Sequence, residues 1–286
     1  MMTNKPVKNF GRQPTDSITK EHLEEFIATQ DDFALELYAY SLARDLGFSA
    51  MHAGSYIDPV TGKARQFDVQ ANIDCGDDFH VYLAIECKAL RPSYPLLVSQ
   101  IPRIGAESYQ DTVYSQGTMR AGIRHVAGAK RLDRAESLYP PNKYVGKALS
   151  QVGFNGEGKL VAKDSEVFDK WGQAIASCSV LVNSASLLNN NMQTKAKKSA
   201  VLPILVVPDG TLWVANYAER GALQEGPIQT NEAEYFIGQG HSIKENYNAS
   251  FTVSHLHIVT KSGLNAFLRR LIKGGESAEH LKNMLY

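Results

Sequence analysis

Asp68, Glu86 and Lys88 are three residues whose types and spacing could do chemistry together. Both acids interrupt extended segments, Arg65 to Asp74 and Phe79 to Lys88, where apolar side chains are expected. Cys75-Gly76-Asp77-Asp78 between them has the composition of a hairpin turn. A turn centred on Asp77 sets Asp68 directly opposite Glu86, with their Cβ atoms about 5 Å apart on one face. Like charges so placed repel, and a divalent cation between them removes the repulsion. Lys88 lies two residues past Glu86, so strand alternation sends its ammonium to the same face.

Two carboxylates, with the backbone carbonyl of Cys87 as a further oxygen, suit Mg²⁺ or Mn²⁺, which keep several waters and accept phosphate oxygens. Such an ion acidifies a bound water and stabilises charge on a phosphate. Lys88 can orient that water or offset charge in the transition state. The set is a kit for phosphodiester hydrolysis. The competing reading is an ion-paired strand face turned to solvent. If a metal ion is what reconciles the two acids, Asp68→Ala should stabilise the metal-free protein by ~0.5–1 kcal/mol through relieved repulsion.

The elements that must hold these residues follow from periodicity. Asp16 and Ser17 cap a helix running to Ala28, with Leu23, Phe26 and Ile27 on its apolar side. A second helix starts after Asp31 and Asp32, repeats Leu35, Leu37, Tyr38, Leu42 and Leu46, and stops at Gly47. Extended segments then cover Phe48 to Ile57, Arg65 to Asp74 and Phe79 to Lys88. In the last, Val81, Leu83, Ile85 and Cys87 share one face, and Tyr82, Ala84, Glu86 and Lys88 the other. Residues 91–164 show no clear period and read as an insertion with short helices, one over Arg103 to Tyr109. Val167, Phe168, Trp171, Ile175, Cys178 and Val182 mark a long core helix from Ser165 to about Leu188. Strands Val201 to Val207, Thr211 to Tyr217 and Ser254 to Thr260 follow, then helices Ser262 to Ile272 and Ser277 to Leu285. The sum is one α/β domain over 1–286 with a mixed sheet.

The stretch Gly54 to Asp68, with Asp58-Pro59, Thr61-Gly62-Lys63 and Phe67-Asp68 in it, followed by Ile85-Glu86-Cys87-Lys88, resembles the PD-(D/E)XK signature of restriction-endonuclease-like nucleases. Asp68 matches the acid of the second core strand, and Glu86 and Lys88 match Glu-x-Lys on the third. Phe67 stands where the signature has proline. The family's first helix often carries a glutamate facing the metal, and Glu36 matches it. The resemblance covers about 31–90 and, more weakly, 165–217. It implies a core of helix, three-strand meander, helix and strand, with 91–164 inserted after the third strand and 253–286 added at the end. It further implies a Mg²⁺- or Mn²⁺-dependent endonuclease, with Asp68, Glu86, the Cys87 carbonyl and Glu36 around the metal. DNA is favoured over RNA as substrate. The family context is restriction or anti-phage defence, alongside a second copy of the chain or an accessory protein. A catalytically silent nucleic-acid-binding or scaffold protein on the same fold is the alternative.

Composition neither adds to nor removes this reading. Thirty basic residues balance thirty acidic ones, so nucleic-acid contacts must come from local patches. Arg120, Arg124, Lys130 and Arg131 form the best basic cluster, and Gln173 on the long helix is a further candidate contact. Lys195, Lys197 and Lys198 are next in line. Thr61-Gly62-Lys63 lacks the first glycine and the Ser/Thr of a P-loop. His255 and His257 share a strand face with no second ligand pair nearby. Three cysteines at unrelated spacings, no apolar run of membrane length and no signal-like start make cytoplasmic residence the expectation.

Overall fold

The computed structural model describes residues 17–58, 61–75, 79–118, 124–162, 165–187, 197–243, 246–272 and 274–285. Among these described residues are five α-helices, α1 (Lys20–Gln30), α2 (Phe33–Asp45), α3 (Ser165–Ser186), α4 (Lys261–Leu271) and α5 (Glu276–Leu285). The first strands are β1 (Ser49–His52), β2 (Ser55–Ile57), β3 (Ala64–Gln66), β4 (Val69–Asp74) and β5 (Phe79–Cys87). Then come β6 (Leu96–Pro102), β7 (Tyr109–Thr118), β8 (Arg124–Asp133), β9 (Tyr144–Phe154) and β10 (Leu160–Ala162). After α3 the chain adds β11 (Lys197–Val207), β12 (Leu212–Tyr217), β13 (Leu223–Gln229), β14 (Glu232–Ile243) and β15 (Asn246–Thr260).

Thirteen of these strands form one mixed sheet, ordered β1-β4-β5-β11-β15-β14-β9-β6-β12-β13, with β10 on β9, β7 on β11 and β8 on β7. β2 and β3 make a separate hairpin. β5, β11 and β15 run parallel at the centre. The apolar runs of β5 and β11 are buried on both faces, as central parallel strands require. Val81, Leu83, Ile85 and Cys87 pack with α2 and α4. Ala84 and Val201 pack with Cys178, Leu181, Val182 and Ala185 of α3. Strand alternation thus places α2 and α4 on one face and α3 on the other. No helix among the described residues is long and apolar enough to cross a membrane.

Segment 91–164 departs from its expected helices. Arg103 to Tyr109 holds a short 3-10 turn, Gly105–Glu107. The other elements among the described residues are β6 to β10, joined to the main sheet, and a second 3-10 turn, Arg134–Glu136. The reason is chemical. β7 is covered on both sides yet carries Gln110, Asp111, Thr112 and Ser115 as buried residues, so its alternation of polarity is erased. Asp111 is held by Arg131 Nε at 2.9 Å and by the Thr252 N–H at 2.7 Å. β13, β14 and the first half of β15 lie outside the strands expected from the sequence. β13 is exposed at every position and β14 is half-buried or exposed at most of its positions, so neither shows a continuous apolar face.

Buried Arg103 pairs with Glu234 and donates to the Pro140 carbonyl at 2.9 Å, tying the 134–143 turn to β14. Beside it Tyr139 stacks on His255, ring centroids 3.8 Å apart, and its hydroxyl meets His257 Nε2 at 2.7 Å. Among the described residues, neither ring nitrogen of His255 has a hydrogen-bond partner. Burial first, then the Arg103 charge, pushes His255 down to about 2. Burial first, then Arg270, pushes His257 down to about 3. A histidine depressed on folding stabilises the protein above its unfolded value of about 6.5, and that stability is lost as pH falls. Melting temperature should therefore drop between about pH 6.5 and 3, with a slope near ~1.4 kcal/mol per pH unit for each histidine. His255→Phe should remove about one proton from that slope, as read from denaturant melts across the range.

Candidate active site

Pairing of β4 with β5 runs from Val69–Ile85 to Asp74–His80, the register that a turn centred on Asp77 demands. One step beyond Val69–Ile85, Asp68 comes opposite Glu86. The Asp68 carboxylate accepts from the Cys87 N–H at 2.7 Å, so the Cys87 peptide lies against the acid pair. Asp68 is 8% exposed and Glu86 is fully buried. Among the described residues, neither Glu86 oxygen has a hydrogen-bond partner. Burial, with the Asp68 charge second, pushes the Glu86 carboxyl up to about 9.

The backbone that carries Asp68 is clamped from below. The Ala53 N–H donates to the Asp68 carbonyl at 3.0 Å, and the Phe67 N–H to the Gly54 carbonyl at 2.9 Å. Ala53 adopts a left-handed φ of 58° to make this corner. Phe67, in the position where proline was absent, is buried with Tyr56 and Ala176, joining the β2–β3 hairpin to α3. A Cβ on Gly54 would lie 2.1 Å from the Phe67 ring. Gly54→Ala should expel that ring and shift Asp68, with a stability loss of ~1–3 kcal/mol readable by denaturant melts.

A lysine that the sequence did not single out stands between the acids. Lys170, from the second turn of α3, places Nζ 3.0 and 2.8 Å from the two Asp68 oxygens and 3.8 Å from Glu86 Oε2. Only the Asp68 contacts are hydrogen bonds; Lys170 stands near Glu86 without bonding to it. Burial disfavours the Lys170 ammonium, but Asp68, Glu86 and Asp32 outweigh it and hold its pKa above the usual lysine value. Lys170 is 102 residues from Asp68, so no local spacing announces it. The one signal is a lysine inside the core-helix run Phe168-Asp169-Lys170-Trp171.

Lys88 stands at the end of β5 with Nζ 3.6 Å from Asp32, the N-cap of α2, whose other oxygen accepts from the Ala89 N–H at 2.5 Å. Glu36, one helical turn after Asp32, meets His52 Nε2 at 2.9 Å. Burial, followed by the Asp68 charge, raises the Glu36 carboxyl, while the His52 hydrogen bond opposes the rise. Around the Asp68–Glu86 pair, Lys170 is in contact, and Asp32 and Glu36 act by charge, each beside its own basic partner, Lys88 and His52. The residues come from the start of α2, the end of β1, the positions just before β4 and at and just after the end of β5, and α3.

Gln173, Arg131 and Lys197, outlying candidates whose partners are described, make contacts other than with the acid pair. Gln173 is half-buried one turn after Lys170, and its carbonyl accepts from the Tyr56 hydroxyl at 3.4 Å. Arg131 is tied to Asp111 and lies 4.1 Å over the Tyr109 ring, a cross-strand brace on β8. Lys130 is exposed on the same strand. Arg124 pairs with Thr118 by backbone, its side chain falling outside the described residues, as does Arg120 altogether. Lys197 is buried and donates to the Tyr82 hydroxyl at 3.1 Å, and Lys195 lies outside the described residues.

Do these residues fit a divalent ion? Among the described residues no group of three or more His, Cys, Asp or Glu converges as a ligand set. Mg²⁺ needs no such cage, since one or two carboxylates, waters and phosphate oxygens complete its shell. The acid pair already holds a cation, the Lys170 ammonium, and the Glu86 oxygens are buried without hydrogen bonds to any described residue. The donor set fits. No protein-family model, curated protein or solved structure matches the chain.

Proposed function

We propose that this chain is a divalent-metal-dependent nuclease, more suited to DNA than RNA, built on a restriction-endonuclease-like core of α2, the β1-β4-β5 meander, α3 and β11. The observation that carries the reading is the cross-strand Asp68–Glu86 pair, sunk at a strand end and bridged by a cationic group. Nothing in strand packing calls for two opposed buried acids, and like charges in that position are destabilising.

Asp68 and Glu86 are the residues to hold Mg²⁺ or Mn²⁺, with the Cys87 carbonyl and Glu36 next to them. When bound, the ion supplies an acidified water and charge stabilisation for a phosphodiester. Glu36, fixed by His52, is placed to take a proton from that water or to hold it in orientation. Lys88 and Lys170 supply positive charge where the scissile phosphate gains negative charge. Tyr56, Phe67 and Ala176 close the α3 side to bulk water. By resemblance the cellular setting is restriction or anti-phage defence, with an accessory protein or a second copy as partner.

A silent scaffold remains the second reading, since Lys170 neutralises the pair without any metal. Incubation with supercoiled plasmid, single-stranded DNA and RNA separates the two. Nicking in Mg²⁺ or Mn²⁺ that EDTA abolishes is expected. Equal loss-free substrate in all conditions, with no metal binding, favours the scaffold.

A further inference from the structure

Lys170 and a metal ion cannot share the acid pair. The ammonium lies within 3.0 Å of both Asp68 oxygens and 3.8 Å from Glu86, in the space between the carboxylates. A Mg²⁺ bridging the same oxygens would sit about 2.0–2.1 Å from them, too close to a lysine ammonium for either charge to tolerate the other. Lys170 is also on a flexible stem and 18% exposed, so it can leave by rotation while α3 stays packed on β5 and β11.

We infer that Lys170 is a built-in counter-cation which occupies the metal position in the resting protein and is expelled when a divalent ion binds. This rests on the metal reading above and adds a control to it. The resting site is neutralised without metal, which keeps two buried acids tolerable while the protein folds and waits. Metal entry then frees one ammonium at the mouth of the site. Beyond the pair, Asp32 is an acid whose charge already acts on Lys170, and a phosphate oxygen of the substrate is the natural second partner. Metal binding and substrate binding become linked, because the group displaced by the first is a receptor for the second.

The test is calorimetric titration of the whole chain with Mn²⁺, and separately Mg²⁺, without nucleic acid. Lys170→Met removes the competing charge and keeps the bulk, so its metal affinity should exceed wild type by about tenfold or more. Lys170→Gln, which preserves a hydrogen-bond donor and guards against a folding defect in the methionine variant, should tighten binding in the same direction. In wild type, the Nζ resonance of Lys170 should shift on addition of Mg²⁺ as its carboxylate partners are lost. Equal or weaker metal binding by both variants, or a Lys170 resonance indifferent to saturating Mg²⁺, overturns the inference while leaving the metal centre standing. Wild type and variants all failing to bind either ion would instead remove the metal reading itself.

Discussion

Glu86→Gln should reduce metal-dependent cleavage by three or more orders of magnitude while leaving the fold intact, about the loss seen when an electrostatic catalytic group is removed. The substitution is isosteric and removes a charge, not a packing surface. It also has a stability signature that a surface acid would lack. Burial, with Asp68 second, lifts the Glu86 carboxyl to about 9, well above its unfolded value. For an acid raised on folding, the protonated form is the one the native state prefers. Stability from that preference is complete below about pH 4.5 and declines as pH rises towards 9, by up to ~1.4 kcal/mol per pH unit. Above about pH 6.5, where the buried histidines no longer add stability, metal-free wild type should therefore lose stability as pH rises towards 9, and Glu86→Gln should lose less. At pH 8 to 9 the variant should melt higher than wild type, an order that adding Mn²⁺ reverses because only wild type gains a ligand.

Asp68→Ala should destabilise the metal-free protein by ~2–4 kcal/mol, the opposite sign to what strand pairing alone suggests. From the sequence, its removal relieves repulsion with Glu86. In the structure that repulsion is already offset by Lys170, and Asp68 satisfies the Cys87 N–H as well. Deleting the carboxylate strands a buried N–H and leaves a partly buried ammonium facing one acid at 3.8 Å. Chemical denaturation of wild type and Asp68→Ala in EDTA reads the sign directly. Metal should then raise the melting temperature of wild type and not of the variant. A variant that melts higher without metal would mean Lys170 does not hold the pair together.

These two cases mark what could be seen in the chain beforehand. The β4–β5 register was legible because one short turn and a two-residue period fix every partner. Glu36 was legible only through the resemblance, which implies a glutamate on the first helix; its spacing within α2 does not mark it. The long helix α3 and the buried strand β11 announced themselves by apolar period and run. Lys170 was not legible, since its partners come from a strand 102 residues earlier and nothing local distinguishes it from a solvated lysine. The strands of 91–164 were hidden by buried polar residues such as Gln110, Asp111 and Ser115, which find partners or burial that no single segment reveals. Arg131 shows the same limit from the other side. In sequence it belongs to a basic cluster; in the fold its charge is committed to Asp111.

The central claim is that Asp68 and Glu86 form a divalent-metal centre, and Mn²⁺ located by its anomalous scattering in crystals of the wild-type chain tests it most directly. The expected result is a single strong peak between the Asp68 and Glu86 carboxylates, within about 2.0–2.3 Å of an oxygen from each, with the Lys170 ammonium moved away. A Mn²⁺-saturated crystal with no peak there, and Lys170 still bonded to Asp68, would contradict it.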